Sequence, residues 1–202
     1  MKEQLDILHP ILNNVSPISK DTWNEISKYF KTKNLKEGEH LFYIGDTVKD
    51  FYFLIDGIAR YYYFKDNGKE FNKSFALQKG HLISSISSVT QHTGSPFSVE
   101  ILADFTSLCI SYKDFINFGS KNKQWNTLTL KIYENLIIKK ERREADFLLL
   151  SATQRYENFL IDYERVAEIV PNYHIASYLG ITEVALSRIR KEMNLTNVND
   201  KD

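Results

Sequence analysis

Apolar residues recur along this chain with two different periods, and the change of period divides it. Leu5, Leu8, Ile11 and Leu12 fall three or four apart, the spacing of one helical face. Pro10 interrupts them, so the pattern predicts a short N-terminal helix and a break near Ser16-Pro17. Ser19, Asp21 and Thr22 can cap a second helix, whose stripe is Trp23, Ile26, Tyr29 and Phe30. From Asn34 to about Ser111 the period falls toward two. Leu41 to Ile44, Asp50 to Ile55 and Ile58 to Phe64 are rich in aromatic and β-branched residues. Glu37-Gly38, Gly45-Asp46, Asp56-Gly57 and Asp66-Asn67-Gly68 separate such segments as turns. Short strands at this spacing predict an antiparallel sandwich or roll. Asn67-Gly68 predicts a type I′ hairpin, whose central residues need positive φ.

The Ser-rich stretch from Gly80 to Pro96 reads as a loop or short helix set between strands, a place for a small ligand. Strands resume from Phe97 to Ile110, and helical material begins at Tyr112. No Gly or Pro occurs from about Lys123 to Leu150. A helix of some 25 residues there would span roughly 38 Å. Leu128, Ile132 and Leu136 make one stripe, and Leu130, Tyr133 and Ile137 an adjacent one. Together they are wide enough to face both the roll and the same helix of a second copy. Lys139 to Glu144 reads as a solvated face within reach of phosphate. Ser151-Ala152-Thr153 marks a joint, and Gln154 to Val170 reads as one helix burying Phe159, Leu160, Tyr163, Val166 and Ile169.

Tyr173 to Met193 then parses as two short helices around a tight turn. Ile175, Ala176 and Leu179 share a face, and Gly180 follows where a left-handed C-cap belongs. Thr182 stands at an N-cap position. Val184, Leu186 and Ile189 supply a buried side, leaving Ser187, Arg188, Arg190 and Lys191 for the outside. This is the pattern of a helix-turn-helix, whose second helix enters the major groove of DNA.

Composition narrows the classes. Lys+Arg 26 against Asp+Glu 26 leaves a formal charge of +0, which argues against a protein that coats nucleic acid non-specifically but leaves room for a local basic face. A single cysteine, Cys109, excludes an intrachain disulfide, an iron–sulfur cluster or a four-Cys zinc site. His9, His40, His81, His92 and His174 are scattered, with no His-x-His for a cupin-type metal centre. No Ser-His-Asp order or Gly-rich phosphate motif stands out, so no enzyme is expected. No signal peptide or stretch of about 20 apolar residues is present, and a soluble, cytoplasmic protein is expected.

In the roll, Leu35-Lys36-Glu37-Gly38-Glu39, Gly45-Asp46 and Phe53-Leu54-Ile55-Asp56-Gly57 stand in the order found in the cAMP receptor protein and fumarate–nitrate regulator (Crp/Fnr) family. Ile175 to Lys191 aligns with its C-terminal motif without gaps. The chain resembles that family along almost its whole length, and Leu186-Ser187-Arg188-Ile189-Arg190-Lys191 resembles a Bacteroidetes branch. The resemblance implies an α+β fold. Residues 1–118 would be an N-terminal antiparallel β-roll sensor with its helices, 119–150 a long dimerisation helix, and 151–202 a C-terminal helix-turn-helix domain. It also implies a homodimeric transcription regulator with double-stranded DNA and RNA polymerase as partners and no membrane. At Thr182, Glu183, Ala185, Ser187, Arg188, Arg190 and Lys191 it implies DNA contact. Arg188 is the candidate for a guanine edge, Glu183 for a cytosine amine or a helix cap, and Thr182, Ser187, Arg190 and Lys191 for phosphates. About ten residues follow Met193, too few for the family's β-hairpin wing.

The phosphate loop departs from the pattern. Members that bind cyclic AMP carry Gly-Glu early in this loop and Arg-Ser at its end. Here Ser84-Ser85 and Ser95-Pro96 stand there, and no Arg or Lys occurs between Gly80 and Ile110. A buried phosphate without a cation is costly, so cyclic AMP is not expected as the effector and no cofactor is assigned. Ser84, Ser85, Ser95 and Phe97 are the expected effector pocket. The competing reading is a ligand-binding roll that acts through protein contacts without DNA.

Overall fold

Two long strands, β3 (Asp50–Phe64) and β6 (Ser98–Ser111), pair antiparallel along nearly their full lengths, from Asp50 opposite Ser111 to Tyr62 opposite Ser98. The computed structural model describes residues 1–195, so the segment expected to be too short for a wing lies partly outside the described residues. Around that pair, β1 (Lys31–Leu35), β2 (His40–Phe42), β4 (Glu70–Ala76) and β5 (Leu82–Ile83) complete a six-stranded sheet in the order β1-β6-β3-β4, with β2 on β6 and β5 on β3. Phe51, Phe53, Leu54, Val99, Ile101 and Leu108 are buried in its core. The expected antiparallel roll is therefore present, and the fold is α+β.

Asp56-Gly57 is not a turn between two strands. β3 runs straight through it, with register shifts on either side of Asp56. Gly57 has φ +104, and a Cβ on it would lie 2.5 Å from the Asp104 carbonyl oxygen and 2.8 Å from the Phe105 Cα. Only glycine lets β3 press this closely on β6. The Asp66-Asn67-Gly68 hairpin forms, with the Lys65 amide donating to the Lys69 carbonyl. Of its residues only Gly68 has positive φ, so it is a longer loop closed by a left-handed glycine rather than a type I′ turn.

Apart from one short helix among the strands, the helices lie toward the two ends of the chain. Helix α1 (Lys2–Val15) passes through Pro10, ends at the break expected near Ser16-Pro17, and buries Leu8 and Leu12. Apolar burial outweighs the hydrogen bond that the proline removes. Helix α2 (Lys20–Ile26) is capped by Ser19, whose hydroxyl accepts from the Thr22 amide, and Trp23 and Ile26 are buried beneath it. Tyr29 stays exposed. The Ser-rich stretch holds α3 (Ile86–Gln91), and α4 (Tyr112–Gly119) leads into α5 (Lys123–Leu149), 27 residues long. Trp125, Leu128 and Ile132 close the roll's core, whereas Leu130, Ile137, Ile138, Leu148 and Leu149 are exposed.

Ser151 and Gln154 form a capping box that starts α6 (Ala152–Asp162). The single helix expected to Val170 breaks at Tyr163, whose φ −140 and ψ 37 are not helical, and α7 (Glu164–Ile169) follows. Ile169, expected to be buried, is exposed. The last pair is α8 (Asn172–Leu179) and α9 (Glu183–Glu192). A second core joins Tyr156, Phe159, Tyr163, Val166, Ile175, Leu179, Leu186 and Ile189 to Ile58 and Phe75 of the roll. The C-terminal helices are thus seated on the sheet, chiefly through α8 against β4.

Candidate nucleic-acid interface and effector face

Gly180 fixes the turn between α8 and α9. It has φ +70, its amide donates to the Ser177 carbonyl, and the Ile181 amide donates to the Ala176 carbonyl at 3.0 Å. A Cβ here would stand 2.5 Å from the tip of the half-exposed Phe147 ring, which could move aside, so it is the left-handed backbone that demands glycine. The Thr182 hydroxyl accepts from the Ala185 amide at 3.2 Å and starts α9. Thr182, Glu183, Ser187, Arg188 and Lys191 are exposed, and Ala185 is half-buried.

Two expectations for α9 need correction. Val184, assigned to the buried side, is exposed; the inward seam is Leu186, Ile189 and Arg190. Arg190 is 8% exposed, donating from Nε to the Tyr156 hydroxyl at 2.7 Å and from Nη1 to Asn172 Oδ1 at 2.5 Å. Its guanidinium ties α9 to α6 and α8 and is withdrawn from the outer face. The spacing carried the signal: residues 186, 189 and 190 fall on one helical side.

The same helix pair is pinned to the roll by polar contacts absent from the sequence reading. The Asn72 amide donates to Ser177 Oγ at 2.9 Å, and Asn72 Nδ2 donates to the His174 carbonyl at 2.8 Å. His174 is buried, and burial first, then the Arg60 charge, hold its pKa down to about 4. Arg60, 4% exposed, donates from Nε to Glu100 at 2.6 Å and from Nη1 to Asn72 Oδ1 at 3.0 Å, and pairs with Glu70 at 2.6 Å. This network runs from the centre of β3 to α8.

The three serines among the four residues expected to form an effector pocket do not pool their hydroxyls. Ser84 Oγ donates to the Asp50 carbonyl and Ser95 Oγ to the Phe97 carbonyl. Ser85 Oγ is enclosed without a hydrogen-bond partner among the described residues. Phe97 is buried, 5.8 Å from the Tyr61 ring and edge-on to Tyr63 at 6.2 Å. On this aromatic group rests Lys73, its Nζ 3.8 Å from the Phe97 ring centre. No sequence motif marked it. Among the described residues no group of three or more His, Cys, Asp and Glu side chains is placed to hold a metal ion.

Comparison with known proteins fits this arrangement. Residues 32–122 match the cyclic nucleotide-binding domain. No curated protein matches the sequence. Among solved structures, FixK2 from Bradyrhizobium japonicum has 15% identity and a TM-score of 0.71, over 82% of this chain and 84% of its own. The c-di-GMP-responsive global regulator CLP of Xanthomonas campestris has 13% identity and a TM-score of 0.65, over 87% and 92%. The catabolite activator protein of Thermus thermophilus has 16% identity and a TM-score of 0.56, over 93% and 90%. At these identities the likeness is one of fold, and it extends over most of the chain. Among the described residues no helix is long and apolar enough to cross a membrane.

Proposed function

We propose that this chain is a homodimeric, DNA-binding transcription regulator of the Crp/Fnr type, with residues 1–118 as sensor, 119–150 as dimerisation helix and 151–202 as reader. The observation that carries the reading is α9. Its cap and turn are fixed by Thr182 and Gly180, its inner side is bound into the second core, and Arg188 and Lys191 stand on its exposed side. A short helix so presented suits the major groove. Arg188 takes a guanine edge, and Ser187 and Lys191 take phosphates. The residues Leu186 to Lys191 support placement in the Bacteroidetes branch. RNA polymerase is the partner such a regulator acts on.

The exposed apolar residues of α5, Leu130, Ile137, Ile138, Leu148 and Leu149, support dimerisation. Two copies joined there would carry their α9 helices to a two-fold symmetric site with half-sites about 34 Å apart. With Arg190 turned inward, each subunit offers α9 cations only at Arg188 and Lys191. A shallow salt dependence follows, with a slope of about −4 or less. The missing cation in the Gly80 to Ile110 segment supports loss of cyclic AMP recognition.

A gel shift on the DNA upstream of the protein's own gene tests the reading. Specific retardation at low salt is expected, with Arg188→Ala binding about 10 to 100 times more weakly. Equal retardation of wild type and variant, or none by either, would remove DNA reading and favour a roll that works through protein contacts.

A further inference from the structure

Val184 is a β-branched apolar residue held out in solvent on the helix proposed to enter the groove. It stands in the first turn of α9, is 62% exposed, and belongs to neither apolar core. A lone exposed apolar side chain needs no explanation by itself, but the place of this one does. The inward seam of α9 is Leu186, Ile189 and Arg190. Around the helix, the direction opposite that seam is occupied by Val184, Arg188 and Lys191, spaced i, i+4 and i+7. Val184 is the N-terminal member of this outermost ridge. Glu183 falls to one flank of it, and Ala185 is half-buried. The Thr182 hydroxyl is engaged by the Ala185 amide at 3.2 Å. The first turn therefore presents one outermost side chain, and it is apolar. Folding gains little from it, since valine is a weaker helix former than alanine and its methyl groups remain in water.

We propose that Val184 reads the 5-methyl group of a thymine that each half-site places within a base pair or two of the guanine taken by Arg188. The inference rests on α9 reading DNA and adds the base that its first turn selects. The N-terminal residues of a recognition helix lie nearest the base edges. Each base pair shows a distinct pattern in the major groove, and only thymine adds a methyl group there. A side chain with two methyl groups and no polar atom can neither donate nor accept a hydrogen bond. The thymine methyl is the one feature of those edges that it can favour. Cytosine in the same place would set its amine against the valine and leave that donor without a partner. Four residues of helix advance roughly 6 Å and stacked bases lie about 3.4 Å apart, which sets the separation of thymine and guanine. Arg188 fixes the register with two hydrogen bonds, and Val184, one turn back on the same ridge, excludes water from the methyl group.

The test uses the full-length protein and the duplexes it selects from a random-sequence pool. In the selected site each thymine is replaced in turn by uracil, which deletes only the 5-methyl group. The guanine is located as the base whose replacement Arg188→Ala no longer senses. Uracil at the thymine beside it is expected to weaken binding about 4-fold in one half-site and about 15-fold in both, the effect of one buried methyl group per subunit. Val184→Ser keeps a similar helix propensity, so the fold is retained. This variant is expected to bind thymine and uracil duplexes alike, at the wild type's level on uracil. A site without such a thymine, a wild-type affinity that no uracil alters, or a Val184→Ser protein that still distinguishes the two duplexes would overturn the proposal. Failure to select any sequence would remove the DNA reading and this inference with it. A selected site indifferent to uracil would sink this inference alone.

Discussion

Arg60 on β3 and Lys73 on β4 are near neighbours with opposite surroundings. Arg60 is met by Glu100, Glu70 and Asn72, and Tyr62 stacks beneath it at 4.1 Å. Lys73 is met by rings and by further cations. Arg60 is a finished structural joint whose Asn72 partner continues to α8. A buried charge that is matched on all sides holds a fold in register, whereas one left unmatched costs stability.

The largest effect expected from this contrast is at Arg60. Arg60→Met would leave Glu100, Glu70 and Asn72 facing an apolar side chain. A loss of about 3 kcal/mol in urea unfolding is expected, because Glu70 and Glu100 are partly exposed and can recover some solvation. A loss no larger than that of Lys73→Met would erase the distinction between the two sites.

The next effect is on pH. His174 sits on the Arg60 side and His81 on the other, where Lys139 adds its charge; burial leads in both, lowering their pKa values to about 4 and about 3. Asn72 Nδ2 lies 3.2 Å from His174 Nδ1, which suits a neutral ring accepting there. Both folded values lie below the unfolded 6.5, so the unfolded chain binds more protons between them. Stability is therefore complete above pH 6.5 and falls as pH drops toward 4, by at most about 1.4 kcal/mol per unit for each ring. His174→Gln is expected to make the decline between pH 6.5 and 4 about half as steep and to leave the part due to His81, which continues toward pH 3. An unaltered profile in that variant would show that α8 is not held by a neutral histidine.

These joints differ in how far the sequence discloses them. The roll, the long helix and the turn at Gly180 are readable because each depends on local spacing and on one or two residues with special backbone needs. Asp56-Gly57 misleads because the same two residues serve a turn or a bulge, and only the position of β6 decides between them. Pro10 does not end its helix, because the burial of Leu8 and Leu12 outweighs a local rule, and the helix stops where Ser16-Pro17 predicts. The charge of Arg190 points to the outside, although its spacing from Leu186 and Ile189 puts it on the inner side. Its partners Tyr156 and Asn172 lie 34 and 18 residues away. Lys73 gives no advance sign. Tyr61 pairs with Ser74 and Tyr62 with Asn72, and this one-residue bulge shifts which way a β4 side chain points and leaves no mark in the alternation.

The smallest effect is the most discriminating. Lys73→Met removes an ammonium that the fold disfavours and keeps its apolar stem, so it is expected to stabilise the protein by about 1 kcal/mol at pH 7. The folded pKa of about 8 lies below the unfolded 10.5. The wild type thus carries the full cost below pH 8 and sheds it as pH rises toward 10.5, where the lysine is neutral in both states. The advantage of Lys73→Met should shrink over that interval, and comparison of the two proteins by urea unfolding at pH 7 and pH 10 measures it. Tyrosines also titrate near pH 10, but they are common to both proteins and cancel in the difference. A gap that stays constant with pH would mean that Lys73 is packed for its stem and that its charge is idle.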